Sequence, residues 1–176
     1  MARTIFRPCT TTFFLAARAP KAPIMSQRTA ARSKARAAAR LAATQALYQH
    51  EMEGTPIVSL LHEFHQHRLG AVIEDAEYAD ADQDFFDDLV KGTLARLDEI
   101  DAAIGRNVTA DWKLDRLDKP MKAILRAGTY ELLARKDVAV GTVISEYLDV
   151  ADAFYERREK GFVNGILDGV AKEARG

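Results

Sequence analysis

Arg28, Arg32, Arg36 and Arg40 recur at every fourth position. A four-residue step advances about 40° around a helix, so a helix here carries them as a slowly winding ridge. The same path reaches Thr44 and Tyr48, with Gln45 about 60° from Tyr48. Arginine presents a fork of donors that matches phosphate oxygens and base edges. A tyrosine ring stacks on an unpaired base, and a glutamine amide hydrogen-bonds the base edge. Single-stranded RNA is commonly read by this mixture. An ordinary helix uses the same residues with Tyr48 packed and Gln45 solvated, and the residues alone leave both readings open.

Other reactive residue types form no comparable set. The histidines are His50, His62, His65 and His67. His62 and His65, three apart on one helix, share a face, but a metal needs further ligands. The ordinary reading is polar histidines on a solvated surface. The pairs Asp87–Asp88 and Asp149–Asp152 fall on amphipathic helices, where solvated acids are the default. No Gly-rich phosphate loop, nucleophile elbow or zinc-binding helix motif occurs. The pattern argues for binding without catalysis, and it calls for no cofactor and no metal.

The elements that position these residues are helical. Arg28 to Glu53 contains no Gly or Pro and much Ala, and Gly54 and Pro56 end it. Ala39, Ala42, Ala43, Ala46 and Leu47 form its apolar stripe. Further helices are expected over 57–69, over 83–105 as one unbroken element, and from Asp118-Lys119-Pro120, a helix-start signal. Residues 70–81 read as an irregular connection, and Trp112 falls in a short helix or turn within 106–117. Helix five directs Val143, Ile144, Tyr147, Leu148, Ala151 and Phe154 inward. Helix six directs Phe162, Val163, Ile166, Leu167 and Val170 inward, with Phe162 in its first turn. Gly165 inside that helix suggests a close helix–helix approach, with Asn164 bonding a nearby backbone group. No segment alternates with period two, so no sheet is expected. The fold class is an all-α bundle.

Charge divides the 176 residues unevenly. Residues 1–50 hold nine Lys or Arg and no acid; residues 51–176 hold 16 Lys or Arg against 26 Asp or Glu. A basic arm on an acidic body points either to a polyanionic partner for the arm, nucleic acid or an anionic membrane, or to a solvated tail or helix face whose charges only keep it soluble. Cys9 is the only cysteine, which excludes an internal disulfide and a multi-cysteine zinc site. No stretch approaches the roughly 20 apolar residues of a membrane span. Residues 1–27 are expected to be a basic extension without fold, and 28–176 a single helical domain. A transit peptide, or a start at Met25, are the alternatives for the first 24 residues.

Three segments together resemble the NusB family of transcription antitermination factors. Ala39-Arg40-Leu41-Ala42-Ala43-Thr44-Gln45-Ala46-Leu47-Tyr48-Gln49 is similar to its arginine-rich first helix. Ala123-Ile124-Leu125-Arg126-Ala127-Gly128-Thr129-Tyr130-Glu131-Leu132 is similar to its central helix, followed by Asp137-Val138 and Val143-Ile144-Ser145-Glu146. Phe162-Val163-Asn164-Gly165-Ile166-Leu167-Asp168 is similar to its closing signature. The resemblance spans residues 28–172. It implies two packed three-helix halves and no enzymatic activity. It implies binding of boxA-type single-stranded RNA together with NusE, a small-subunit ribosomal protein, and entry into the elongating RNA polymerase antitermination complex, chiefly at ribosomal RNA operons. A bacterial cytoplasmic setting without membrane association follows. Carried over, Arg36, Arg40, Gln45 and Tyr48 match first-helix RNA-binding positions. Arg126 and Phe162 match the same surface, and Lys122 a phosphate contact. Ala37 and Ala38 stand where the family often has a denser arginine cluster, and Arg32, Lys34 and Arg28 are expected to compensate. A helical protein-binding adaptor is the rival reading. An RNA-modifying enzyme would need a Gly-rich cofactor segment that this chain lacks.

Overall fold

The computed structural model describes residues 24–69, 72–73, 76–77, 81–108 and 116–176. Trp112 and most of the expected N-terminal extension lie outside the described residues. Helix α1 runs from Ile24 to Glu53, starting four residues before Arg28 and inside the expected extension. It stops at Gly54, whose φ of 66° is left-handed and whose N–H donates to His50 O at 2.9 Å. Glycine reaches that conformation without a Cβ penalty. Helix α2, Ile57–His67, buries Leu60, Leu61 and Phe64. It ends two residues early because the Arg68 and Leu69 N–H groups both turn back to Phe64 O.

The expected irregular connection contains a small antiparallel pairing of β1, Val72–Ile73, with β2, Ala76–Glu77, in which Val72 faces Glu77 and Ile73 faces Ala76. Two residues per strand build no layer, and the architecture stays all-helical.

The expected helix over 83–105 is two helices, α3, Gln83–Ala95, and α4, Leu97–Asn107. The chain turns at Arg96 (φ −119°, ψ 26°). Arg96 then forms a forked pair with Glu99, both contacts at 2.8 Å, in the first turn of α4. Asp98 and Glu99 in that turn complement the positive end of a new helix dipole. The break lets α3 pack on α1 while α4 packs on later helices.

Helix α5, Lys119–Ala134, starts as its sequence predicts. The Asp118 carboxylate accepts from the Met121 N–H at 2.9 Å, and Pro120 occupies the first turn. Helices α6, Val140–Asp152, and α7, Arg157–Arg175, complete the bundle. Helix α5 is its axis and touches α1, α3, α4, α6 and α7. The all-α bundle expected from the sequence is the architecture observed, and the break at Arg96 makes it seven helices among the described residues.

One apolar core runs through the bundle. Phe64 stacks on Phe86 with ring centroids 5.5 Å apart, and Leu89, Ile104, Ile124, Leu125, Tyr147 and Leu167 are fully enclosed. Gly92 on α3 lies under the Tyr130 ring of α5, in space that a Cβ would overlap. Gly165 is the opposite case and corrects the expected close approach: a Cβ there meets nothing within 4 Å. Asn164 is exposed and makes no hydrogen bond among the described residues. At the far end of α7 the Arg175 guanidinium donates to four carbonyls, those of Leu132 (2.7 Å), Val138 (2.6 Å), Arg135 (2.9 Å) and Glu131 (3.1 Å). These are carbonyls of the last turn of α5 and the turn beyond it; those of Glu131 and Arg135 also accept the Arg135 and Val138 N–H groups, at 3.0 and 3.1 Å. Among the described residues no helix is long and apolar enough to cross a membrane.

Candidate nucleic-acid interface

Helix α1 presents two different faces. Arg28, Arg32 and Lys34 are exposed on its N-terminal half. The ridge then turns inward, because each four-residue step adds about 40°. Arg36 is half-buried, with its guanidinium 4.7 Å from the Phe85 ring centroid and its Nε 3.5 Å from Asp82 Oδ2.

Arg40 corrects the expected exposed ridge, since only 2% of it reaches solvent. Its Nε and Nη2 donate to the two oxygens of Glu131 at 2.9 and 2.6 Å, and its Nη1 donates to Glu146 at 3.0 Å. Its guanidinium also lies 5.1 Å from the Phe85 centroid. Glu131 is wholly buried. Burial works against the Arg40 charge, but the hydrogen bonds and charge of Glu131 outweigh it and raise the Arg40 pKa. Tyr147 beside them is fully enclosed, and burial, then the Glu131 charge, push its phenol well above the usual range. Arg40 thus ties α1 to α5 and α6. Its partners lie 91 and 106 residues away in sequence, so no local signal announces them.

Arg126 and Lys122 are likewise committed. Arg126 holds both Asp101 oxygens at 2.8 Å and Glu51 Oε2 at 2.8 Å. Lys122 lies 3.6 Å from Glu51 Oε1. These contacts join α5 to α1 and α4 on a face where cation and anion charges cancel. Phe162 falls in the second turn of α7 rather than the first, partly buried against the core.

The outward face of α1 carries Lys34, Leu41, Gln45, Tyr48 and Met52, all exposed and at helical spacing. Along its C-terminal half a groove of about 760 Å³ opens, lined by Gln45, Tyr48, Gln49, Met52, Pro120 and Phe154 among others. Tyr48 is 38% exposed and Met52 50%. The Thr44 hydroxyl, expected on the ridge, is buried and donates to Arg40 O at 3.0 Å. Gln45 makes no hydrogen bond among the described residues, so its amide is available. Gln49 is occupied by Glu53 and Glu63, and Glu63 also pairs with Arg68.

Of the nine expected site residues, Arg32, Lys34, Gln45 and Tyr48 share an exposed helix, and Gln45 and Tyr48 meet at the groove. Arg36, Arg40, Lys122 and Arg126 hold the helices together. Sequence reasoning missed one residue that lines the groove. It turned Phe154 inward, whereas the structure places Phe154 after the end of α6 with 49% of it exposed. Tyr155 takes the inward position instead, packed against the core. The Asp-Ala-Phe-Tyr-Glu run carries two adjacent aromatics at a helix end, and one position of error in the helix end exchanges their roles.

Comparison with known proteins gives the same architecture. The NusB family pattern matches residues 37–172. The transcription antitermination protein NusB of Sphingopyxis alaskensis is 67% identical over 144 residues, covering 82% of this chain and 97% of that protein. The solved structure of T. maritima NusB superposes with a TM-score of 0.64 at 31% identity, covering 78% of this chain and 91% of that one. A chain from a structure of antitermination factors NusB and NusE in complex with dsRNA superposes with a TM-score of 0.64 at 23% identity, covering 78% and 96%, which is a likeness of fold. The extent of the family match and the identity to its members establish that this chain belongs to the NusB family.

Proposed function

We propose that the chain acts as a transcription antitermination factor that binds boxA-type single-stranded RNA together with NusE and joins the elongating RNA polymerase complex at ribosomal RNA operons in the bacterial cytoplasm. The observation that carries this reading is the outward face of α1. Exposed Lys34 shares this face with the open amide of Gln45 and the open ring of Tyr48, and Arg28 and Arg32 are exposed elsewhere around the N-terminal half of the same helix. The cations hold phosphates, while Tyr48 stacks on a base and Gln45 bonds its edge. Arg36, Arg40, Lys122 and Arg126 act one step back by keeping α1 in place, and Phe162 on α7 is partly buried against the core. That relatives such as the Sphingopyxis alaskensis protein are transcription antitermination proteins supports the antitermination role. The acidic body of residues 51–176 suits a basic ribosomal protein and repels RNA from the wrong faces.

Titration of labelled boxA RNA, with and without NusE and across a salt series, tests this. Binding is expected to tighten with NusE and to weaken with salt, by about 0.7 logarithmic units per phosphate contact for each tenfold rise. Equal binding of an unrelated single strand or of a duplex would remove the sequence-reading role of Gln45 and Tyr48. Absence of RNA binding in the presence of NusE would leave an adaptor.

A further inference from the structure

Residues 28 to 34 of α1 are all exposed, and burial along the helix begins only at Ala39. A short stretch of this kind holds its helical form poorly alone. The first turn of α1 carries no acid. Arg28, Arg32, Arg36 and Arg40 are like charges four residues apart, which repel on a helix. Order in these turns must come from where they join the body, and there the first turn of α3 grips them. The Asp82 N–H donates to Ala35 O at 3.1 Å, while the Asp82 carboxylate caps α3 by accepting from the Phe85 N–H at 3.1 Å. One turn further on, the enclosed Phe85 ring is met by three guanidiniums, those of Arg36, Arg40 and Arg135, at 4.7, 5.1 and 5.3 Å from its centroid.

Arg40 and Arg135 have hydrogen-bonded carboxylates of their own. Arg36 is held differently. Its Nε makes no hydrogen bond among the described residues, and the Asp82 and Asp137 carboxylates stand 3.5 and 4.0 Å away. The face of the Phe85 ring, which attracts a cation, is what directs its guanidinium. Resting on the RNA-binding reading above, we propose that Phe85 is a positioning residue for RNA binding. It acts through Arg36 and fixes the direction in which the exposed basic turns of α1 leave the body. Phe85 itself is enclosed and touches no RNA. Nucleation is the costly step in forming a helix, so a turn held at residues 35 to 40 lets the turns ahead of it follow at small cost. Arg28, Arg32 and Lys34 are then in place before RNA arrives, and binding does not have to order them.

The test measures dissociation constants for labelled boxA RNA with NusE present, across a salt series. The proteins are wild type, Phe85→Leu and Phe85→Tyr, each with and without Lys34→Ala. Hydrogen–deuterium exchange of residues 28 to 38 is followed in the same proteins without RNA. Phe85→Leu keeps an apolar side chain in the core and every cation in the chain. It is expected to weaken RNA binding about 2- to 10-fold, with a shallower salt slope. Exchange at residues 28 to 38 should quicken, and Lys34→Ala should cost less affinity than it does in wild type. Phe85→Tyr keeps the ring and should return all of these to wild-type values. Where Phe85→Leu does not fold, Phe85→Met carries the same expectations. A lowered melting temperature with an unchanged salt slope and an unchanged Lys34 cost makes Phe85 a core residue only and overturns the proposal. Tighter RNA binding by Phe85→Leu overturns it too, since Arg36 is then better free than held. Failure of the wild type to bind any RNA overturns the RNA reading itself.

Discussion

The two faces of α1 use similar residues for opposite ends. Inward, Arg40 meets Glu131 and Glu146 in a site almost without water, and Arg36 and Arg40 crowd the Phe85 ring. Outward, Lys34, Gln45 and Tyr48 have their polar groups in solvent. About 80° of rotation separates Arg40 from Tyr48. A cation's role on this helix is therefore set by its angle around the axis more than by its type. A charge turned inward must find fixed counter-charges or leave its partners uncompensated. A charge turned outward keeps its hydration until a polyanion displaces it.

The strongest way to break this contrast is Arg40→Met. It strands the enclosed Glu131 carboxylate, and losing one partner of a buried pair costs about 3–5 kcal/mol. Chemical denaturation should show that loss. If Arg40→Met instead unfolds like wild type but binds RNA with a shallower salt slope, Arg40 is a phosphate contact and the inward assignment fails. Tyr48→Ala is the outward counterpart. It should cost about 1–3 kcal/mol in RNA binding with stability changed by less than about 0.5 kcal/mol. A large melting shift would mean that Tyr48 is a packing residue.

Two glycines repeat the contrast with smaller effects. Gly92→Ala pushes a methyl into the Tyr130 ring, whose hydroxyl is held by Asp88 at 3.0 Å, and should destabilise by about 1–3 kcal/mol. Gly165→Ala fills open space in a helix interior and should stabilise by up to about 1 kcal/mol. Denaturation midpoints moving the same way for both would remove the distinction.

The smallest effect is a pH dependence at Asp87. Burial alone would raise its pKa, but hydrogen bonds from Lys91 and His65 hold the carboxyl below the ordinary aspartate value. A depressed folded-state pKa stabilises above the unfolded value and loses that contribution as pH falls through the folded one. Asp87→Asn should therefore be less stable than wild type near neutral pH, by under about 1 kcal/mol. The gap should close below about pH 4. A gap that widens in acid would contradict the Lys91 and His65 contacts.

What the amino-acid sequence made legible was local. Gly54 ended α1 and Asp118 with Pro120 opened α5 because caps act through residues two or three positions away. The apolar spacing of Phe85 through Ile104 hid the break at Arg96. A turn that keeps the same residues facing the core leaves no trace in periodicity. The nearness of Gln45 and Tyr48 around the helix was legible from their spacing, but whether Tyr48 was packed or exposed was not. Arg40 was not, since its acids sit on α5 and α6, and an arginine beside other arginines looks like surface. Phe154 escaped for another reason, because the end of α6 falls within the ordinary uncertainty of a helix boundary.

The Arg175 side chain binds the fate of one helix end to another. Four carbonyls at the end of α5 and in the following turn all accept from a single guanidinium on the last turn of α7. If that turn of α7 frays, all four carbonyls lose a donor at once. The two ends therefore open as one cooperative unit, and their backbone amides should exchange with deuterium at a common rate. A guanidinium that serves this way behaves as a clasp, turning two separate frayed ends into one event with a higher threshold.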